Sequence, residues 1–547
     1  VFLTGTLAVF YDEIDLLIYD EISVTPKREK HKPGQLYDPA TAEIAERGLG
    51  AIGYMYMPLD RKRTAYGATL TQPGGASRNI FIDPYTGKVT GTTNELTVGY
   101  FLSALHTTLY LPVVGRAFVN FFGVLCLISL ITGIINYPKF WRSFFRKPRF
   151  EKSTRVWVGD IHRLFGLWSM WFVLVIGVSG TWWFYQNPLV EYEVAPAILP
   201  AWTAPPGPTH DDLDASDGPP TRLPARAIVD IIWAQDPAFE VTYIQPPDHN
   251  GAPYSLWGTH RDILTGNYGS EYHVHPFTGE ILLSKAGSEL STLQRVDYAM
   301  YPLHFGTWGN SGWADLAVKT VWFVFGALMT ALALSGIVIY YKRTAKAANE
   351  LLPESGRARQ FARGWRVLRP WGGAMSGFKY ANWVAIWFIG VGLTAAMTLS
   401  NQGSGAMGYK YVSQDVGDWT VSMNALKGWL EADLDPIVPG WQTNIWTQVE
   451  SGDPDAIKFM YVKINKPRTT RAPGMVIHGV EGAKHAHMKV PDTLKDDAEI
   501  WLTIEDWQGN FHQARWPLMP DNQMTFDTRD TDAAELASAL SATHTNP

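Results

Sequence analysis

The sequence predicts an α-helical membrane bundle of about five transmembrane helices, the first truncated, with extracytoplasmic α+β domains and a β-rich C-terminal domain. Three observations point there: four uninterrupted apolar segments, two basic loops between them, and an internal repeat. Averages alone point elsewhere. A chain of 547 residues with 13% aromatic and 18% charged side chains and a mean hydropathy near zero is ordinary for a soluble protein of several domains.

The opening stretch VFLTGTLAVFYDEID is apolar for about eleven residues and then meets carboxylates. That is too short to cross roughly 30 Å of hydrocarbon, and no charged n-region or small-residue cleavage site marks a signal peptide. Four other segments are long enough: Val113 to Tyr137, Leu164 to Tyr185, Leu316 to Tyr341 and Tyr380 to Ser400. Each runs about 20 residues or more with at most one interior charge near an end, as a membrane helix requires. The lone cysteine, Cys126, sits inside the first of these and reads as a small hydrophobe.

The net charge of -6 conceals a strong asymmetry. Lys139, Arg142, Arg146, Lys147, Arg149, Lys152 and Arg155 face one acid, Glu151, in the first loop. Lys342, Arg343, Lys346, Arg357, Arg359, Arg363, Arg366 and Arg369 face Glu350 and Glu354 in the second. The positive-inside rule makes both loops cytoplasmic, and their juxtamembrane position argues for topology rather than nucleic-acid binding. The expected order is the outer half of a first helix at 1–18, a periplasmic domain at 19–105, a second span at 106–137 and a cytoplasmic loop at 138–158. A third span at 159–186, a periplasmic domain at 187–303, a fourth span at 304–341 and a cytoplasmic loop at 342–379 follow. A fifth span at 380–400 then leads to a periplasmic C-terminal domain at 401–547, so the expected location is a bacterial inner membrane.

Two copies of one unit account for most of this order. Leu3-Thr4-Gly5-Thr6 lies over Val178-Ser179-Gly180-Thr181, and both run through aromatics into acidic residues. NIFIDPYTGKVTG (Asn79 to Gly91) matches EYHVHPFTGEILL (Glu271 to Leu283), each reading as a β-hairpin around a Pro-aromatic-Thr-Gly turn. SALHTTLYLP leading to LISLITGIINY resembles MYPLHFGTWG leading to ALALSGIVIYY. His162 lies 18 positions ahead of Gly180, and the same offset from Gly5 falls about 14 positions before Val1. The expectation is therefore a chain that begins halfway through a helix whose absent half carries a histidine equivalent to His162.

These motifs, His-Arg-x-x-Gly followed by Ser/Thr-Gly in an outward helix, the DPYTG-type hairpin and Leu-His followed by Thr/Ser-Gly in an inward helix, resemble the PepSY-associated transmembrane family. The family includes iron-regulated inner-membrane proteins and ferric-siderophore reductases of the FoxB and PiuB type. The resemblance covers residues 1 to about 345 and extends toward the fifth helix. It implies PepSY-like domains at 19–105 and 187–303, bound haem, and electron delivery to periplasmic ferric complexes.

An isolated imidazole at a helix end reads most simply as an interfacial polar residue. The same residue at the same place in both copies shifts the reading toward ligation. His106 and His304 precede the inward helices near the periplasmic face, and His162 precedes an outward helix near the cytoplasmic face. Histidine is a common axial ligand of haem iron, and bundles carry such ligands on facing helices. We expect His106 and His304 to share one iron, and His162 to serve a second b-type haem with a ligand missing from this chain. No Cys-x-x-Cys-His occurs, which excludes covalent c-type haem. Glycines 115, 123, 166, 177 and 180 suit close approach of a porphyrin or of a neighbouring helix equally well.

The expected activity is electron transfer across the membrane to a ferric siderophore or similar metal chelate. Hard oxygen ligands hold the ferric ion better than the ferrous one, so reduction loosens the chelate. No dinucleotide fingerprint is seen, which leaves quinol or a separate reductase as donor. Expected partners are membrane lipid, the chelate and a protein complex, with no nucleic acid. The alternative is a non-enzymatic PepSY module that binds a periplasmic protein or a respiratory assembly. A transporter is weakened by the lack of acidic residues or broken helices at mid-membrane.

Further candidates lie outside the bundle. His273 and His275 alternate on one strand at a spacing that can chelate a metal, but Phe81 and Asp83 replace them in the first copy, favouring a solvated strand. Met475, His478, His485, His487 and Met488 form a Met/His cluster whose thioether and imidazole groups suit copper, against a plain surface loop. Ala195 to Pro224 reads as a solvated linker, and DWTVSM, FMYVKI and EIWLTIEDW read as strands of a β-sandwich-like tail.

Overall fold

The computed structural model describes residues 1–351, 412–423, 442–480, 484–489 and 498–517, except for 28–29, 32, 59–60, 72–76, 111–113, 191–193, 201–202, 215–217 and 309–311. The expected fifth span at 380–400 and the loop beyond residue 351 lie outside the described residues.

The repeat is visible element by element. The first copy runs α1 (Phe2–Ala8), α2 (Tyr11–Ile18), α3 (Pro33–Glu46), β1 (Ala51–Tyr56), β2 (Tyr66–Thr71), β3 (Ser77–Ile82), β4 (Val89–Asn94), α4 (Val98–Thr107) and α5 (Val114–Asn136). The second runs α6 (Thr154–Trp168), α7 (Met170–Phe184), α8 (His210–Asp214), α9 (Ala225–Gln235), β5 (Glu240–Gln245), β6 (Tyr254–Thr259), β7 (Ser270–Val274), β8 (Ile281–Lys285), α10 (Thr292–Phe305) and α11 (Gly312–Leu351). The tail adds β9 (Val412–Val416), β10 (Trp419–Met423), β11 (Gln442–Ser451), β12 (Ile457–Ile464), β13 (Met475–Val476), β14 (Lys484–Lys489), β15 (Glu499–Asp506) and β16 (Phe511–Pro517).

The chain divides into a helical unit and a β-rich unit. Among the described residues of the helical unit two helices are long and apolar enough to cross a membrane, Gly115–Asn136 and Gly312–Lys342. Large apolar side chains on their outer faces, among them Phe118, Ile131, Ile135 and Ile337, are exposed, as lipid-facing residues are. The expected third span is bent: α6 and the helical run Met170–Val190 meet at 68°, and count as a third span if the pair is one. Ser169 is the break, with φ -91° and ψ 0° in the bridge region between helix and strand, and Gly166 lies three residues before it. Cys126 is buried beside Phe172, Val173, Trp322 and Met329, a small apolar residue as expected.

In the β-rich unit the two copies do not form separate sheets. They join into one antiparallel eight-stranded sheet of order β4-β3-β2-β1-β5-β6-β7-β8. The seam is β1 on β5, with Met55 opposite Ile244 and Tyr56 opposite Tyr243, and Tyr54 stacks on Tyr243 at 4.9 Å. Joining hides two edges that would otherwise offer unpaired backbone groups. Leu36, Ala40 and Ile44 of α3 and Ile228, Val229 and Ile232 of α9 share one core with the inward-facing strand residues. Asp38 of α3 accepts from the backbone N–H groups of Ala225 and Arg226 at 2.8 and 2.9 Å, so the first copy caps a helix of the second. The two expected hairpins are β3–β4 and β7–β8.

The tail forms two four-stranded sheets, β14-β11-β10-β9 and β13-β12-β15-β16, that enclose a common core, which agrees with the β-sandwich expected. Trp516 is fully buried there and its indole N–H reaches the Val412 carbonyl at 2.6 Å. The linker is not wholly solvated: Leu213 of α8 is buried against Phe459 and Tyr461, and Asp214 pairs with the buried Lys458. Lys458 O also accepts from Asn250 Nδ2 at 2.8 Å, which fastens the tail to the turn before β6.

Candidate functional site

The bundle brings His106 and His304 together from helices that are nearly two hundred residues apart. Neither sits on a long helix: His106 is at the end of α4 and His304 at the end of α10. Thr97 starts α4 by accepting from Tyr100 N–H at 3.1 Å. Gly306, at φ 68°, ends α10, and Trp322 of α11 donates its indole N–H to the Leu303 and His304 carbonyls at 3.0 Å each. The imidazole centres of His106 and His304 stand 6.2 Å apart with planes at 31°, and Trp183 packs on the His304 ring at 4.8 Å.

Each ring is held by one nitrogen. His106 Nδ1 lies 3.1 Å from the Val1 carbonyl and 3.4 Å from Thr4 Oγ1. His304 Nδ1 lies 2.8 Å from Ser179 Oγ. His162, on α6, places Nδ1 2.9 Å from Ser335 Oγ and 3.1 Å from the Leu332 carbonyl of α11. Among the described residues none of the three Nε2 atoms makes a hydrogen bond. On α11, Ser335 is thirteen residues beyond Trp322, about 20 Å along a continuous helix. His162 is therefore well removed from the His106–His304 pair.

The spacing of the His106 and His304 ring centres is close to what two imidazoles sharing one iron would need. A metal-bound imidazole nitrogen stands about 2 Å from its metal, so two that share one ion are about 4 Å apart. Adding a ring radius on each side brings the ring centres close to the observed 6.2 Å. His106, His304 and His162 are the side chains that would hold haem, with Nδ1 anchored and Nε2 left for the metal.

Three of the glycines serve helix packing. A Cβ on Gly123 would stand 2.5 Å from the Gly180 backbone, so α5 and α7 cross in direct main-chain contact. A Cβ on Gly177 would stand 2.8 Å from Leu127. Sequence reasoning passed over Lys319, the interior charge of the fourth span. It is 1% exposed, 2.8 Å from Glu13, 3.5 Å from Asp315 and 3.9 Å from Asp12. The signal was present on both sides: one cation inside an apolar run, and the carboxylates that end the opening stretch.

Outside the bundle, the solvated-strand reading of His273 and His275 is corrected, since both are buried. His273 Nδ1 pairs with Ser255 Oγ at 2.8 Å on the neighbouring strand. His275 Nδ1 accepts from the Phe277 and Thr278 N–H groups, which fixes the hairpin turn and explains an Asp in the equivalent position, Asp83. Nearby, His260 bridges Asp236 at 2.6 Å and Ser270 at 2.8 Å, and Tyr272 donates to Asp236. Burial alone would raise the Asp236 carboxyl, but its bonds to Tyr272 and His260 hold it below the usual range.

Of the Met/His cluster, His478 and His485 meet across a β-bridge with ring centres 4.4 Å apart. His478 turns toward Asp248 at 3.3 Å, His485 packs on Trp446, and Met475 is exposed. His487 and Met488 lie on β14, and their side chains are outside the described ones. Among the described residues no three His, Cys, Asp or Glu side chains form a group that holds a metal ion.

Comparison with known proteins places this architecture. The family model described as PepSY-associated TM region matches residues 1–343, all of both copies. The chain belongs to this family. The PepSY-associated match ends within α11, and a second model, described as an uncharacterised conserved protein, matches residues 384–519. A Pseudomonas aeruginosa relative described as uncharacterized protein PA4219 is 26% identical over 262 residues, 44% of this chain. The aligned region spans 63% of that relative's length.

Proposed function

We propose that this PepSY-associated membrane protein is a haem b electron carrier that passes electrons across the bilayer to an extracytoplasmic ferric siderophore or similar chelate. The observation that carries the reading is the His106–His304 pair, set 6.2 Å apart by equivalent segments of the two copies. His162 supports a second site about 20 Å further along α11. Haem, when bound, supplies reversible one-electron chemistry. The chain's own part is to fix the ligand rings and to pack Trp183 and Phe305 against His304. The β-rich unit, with its exposed Tyr54 and Tyr268, is the face we assign to the chelate.

A dithionite-reduced minus oxidised spectrum of the purified full chain tests this. The expected result is b-type bands that diminish in His106→Ala and in His304→Ala. Bands absent from the wild type, or unchanged in both variants, would sink the ligand assignment and favour a module that binds a protein partner.

A further inference from the structure

Within the described helices of the two copies a Ser/Thr-Gly pair occurs four times, twice on outward and twice on inward segments: Thr4-Gly5, Thr132-Gly133, Ser179-Gly180 and Ser335-Gly336. Helix packing through the glycine explains only part of it. Three of the four hydroxyls are the Nδ1 partners of the three candidate ligands: Thr4 for His106, Ser179 for His304 and Ser335 for His162. In each case the histidine comes from a different segment than the hydroxyl.

Each of these hydroxyls spends its own proton inside its helix. Thr4 Oγ1 donates to the Val1 carbonyl at 2.8 Å, Ser179 Oγ to the Val175 carbonyl at 2.8 Å and Ser335 Oγ to the Leu332 carbonyl at 2.9 Å. A hydroxyl has one proton and two lone pairs, so toward the imidazole only acceptor capacity remains. Val1 O and Leu332 O, which also face Nδ1 of His106 and His162, accept as well. Facing a carbonyl, His106 and His162 must carry their proton on Nδ1, and His304 does so while Ser179 donates to the Val175 carbonyl, which leaves the Nε2 lone pair for a metal. The glycine makes room for the ring in two motifs: a Cβ on Gly5 would stand 2.6 Å from His106 Cε1, and one on Gly336 3.4 Å from His162 Cε1. Thr132 Oγ1 likewise donates to the Ile128 and Ser129 carbonyls, so it presents the same acceptor.

We infer that Thr4, Ser179 and Ser335 are positioning residues: each locks a ligand histidine in the Nδ1–H tautomer and raises the basicity of its Nε2. This rests on the haem reading above for its consequence, but the tautomer itself does not. A more basic imidazole would favour the ferric state, and partners of this kind are worth about tenfold to a hundredfold in metal affinity. Where removing the hydroxyl lowers the ferric-over-ferrous preference tenfold, a one-electron potential rises by about 59 mV.

The test uses the full chain in detergent or nanodiscs. Potentiometric titration of the b-type bands in Ser179→Ala and Ser335→Ala is expected to shift one midpoint upward by about 59 mV in each variant, with wild-type behaviour in Ser179→Thr and Ser335→Thr. Nitrogen NMR of histidine-labelled, haem-free protein is expected to show Nδ1–H imidazoles in the wild type and mixed tautomers at His304 in Ser179→Ala, while the Leu332 carbonyl keeps His162 in the Nδ1–H form in Ser335→Ala. Unchanged midpoints in both alanine variants together with an unchanged His304 tautomer in Ser179→Ala overturn the assignment. A wild type without b-type bands overturns the haem reading, while the NMR arm still decides the hydroxyl role. If an alanine variant does not accumulate, the NMR tautomers of the wild type decide alone.

Discussion

Replacing Lys319 by methionine removes a buried cation from a half-buried group of three carboxylates. Its side chain is 1% exposed, and its ammonium lies 2.8 Å from Glu13, 3.5 Å from Asp315 and 3.9 Å from Asp12. Methionine keeps the volume and the apolar stem, so packing changes little. What is lost is the counter-charge, and breaking a buried pair from one side costs about 3–5 kcal/mol. The three acids are 22 to 31% exposed and regain some hydration, which places the loss near the lower end, about 3 kcal/mol. For a domain of this size each kcal/mol moves a thermal midpoint by about 2–4 °C, so the expected drop is roughly 6–12 °C. The assay is thermal unfolding of the full chain in nanodiscs, followed by intrinsic tryptophan fluorescence. Lys319→Met with Glu13→Gln is expected to recover part of the loss, because the carboxylate nearest the removed ammonium is neutralised. A single variant within about 1 °C of the wild type, close to nothing on this scale, would refute the reasoning.

Two further outcomes follow from the packing and from the acid response. Gly123→Val places a branched side chain where even a Cβ would meet the Gly180 backbone at 2.5 Å; α5 and α7 must separate, with a loss of about 1–3 kcal/mol that Gly133→Val, with nothing within 4 Å, does not show. The Asp236 carboxyl is held below its ordinary value, so its contribution is complete above about pH 4 and is lost as pH falls through the lowered folded value. Asp236→Asn is therefore expected to be less stable than the wild type at pH 7 by urea titration, with the gap closing toward pH 2; a gap that stays constant with pH counts against the Asp236–His260–Tyr272 network as its source.

Much of the site was legible because it is written twice. Hydrophobic length marked the spans, charge asymmetry marked the loops, and recurrence of Leu-His before a Ser/Thr-Gly helix singled out His106 and His304. The same comparison failed at His273 and His275, where Phe81 and Asp83 in the first copy argued for a solvated strand. Burial there is set by Ser255 on the neighbouring strand and by the hairpin turn, neither of which the alternation of one strand reports. Lys319 was passed over for a similar reason: a single charge near the end of a span is tolerated at an interface, and only the partner acids reveal that it is enclosed.

By itself the sequence determined what depends on neighbours along the chain: the long apolar helices, the β-hairpins with their Pro-aromatic-Thr-Gly turns, and the order of parts within each copy. These follow from local periodicity, length and turn chemistry. Tertiary structure alone decided that β1 pairs with β5 to fuse two half-sheets into one, that Asp38 caps α9, that α6 and α7 meet at a bend at Ser169, and that three hydroxyls face three imidazoles. Each of these joins groups far apart in sequence, and which edges, donors and rings meet is settled only when the whole chain closes to bury its apolar faces and satisfy its polar ones.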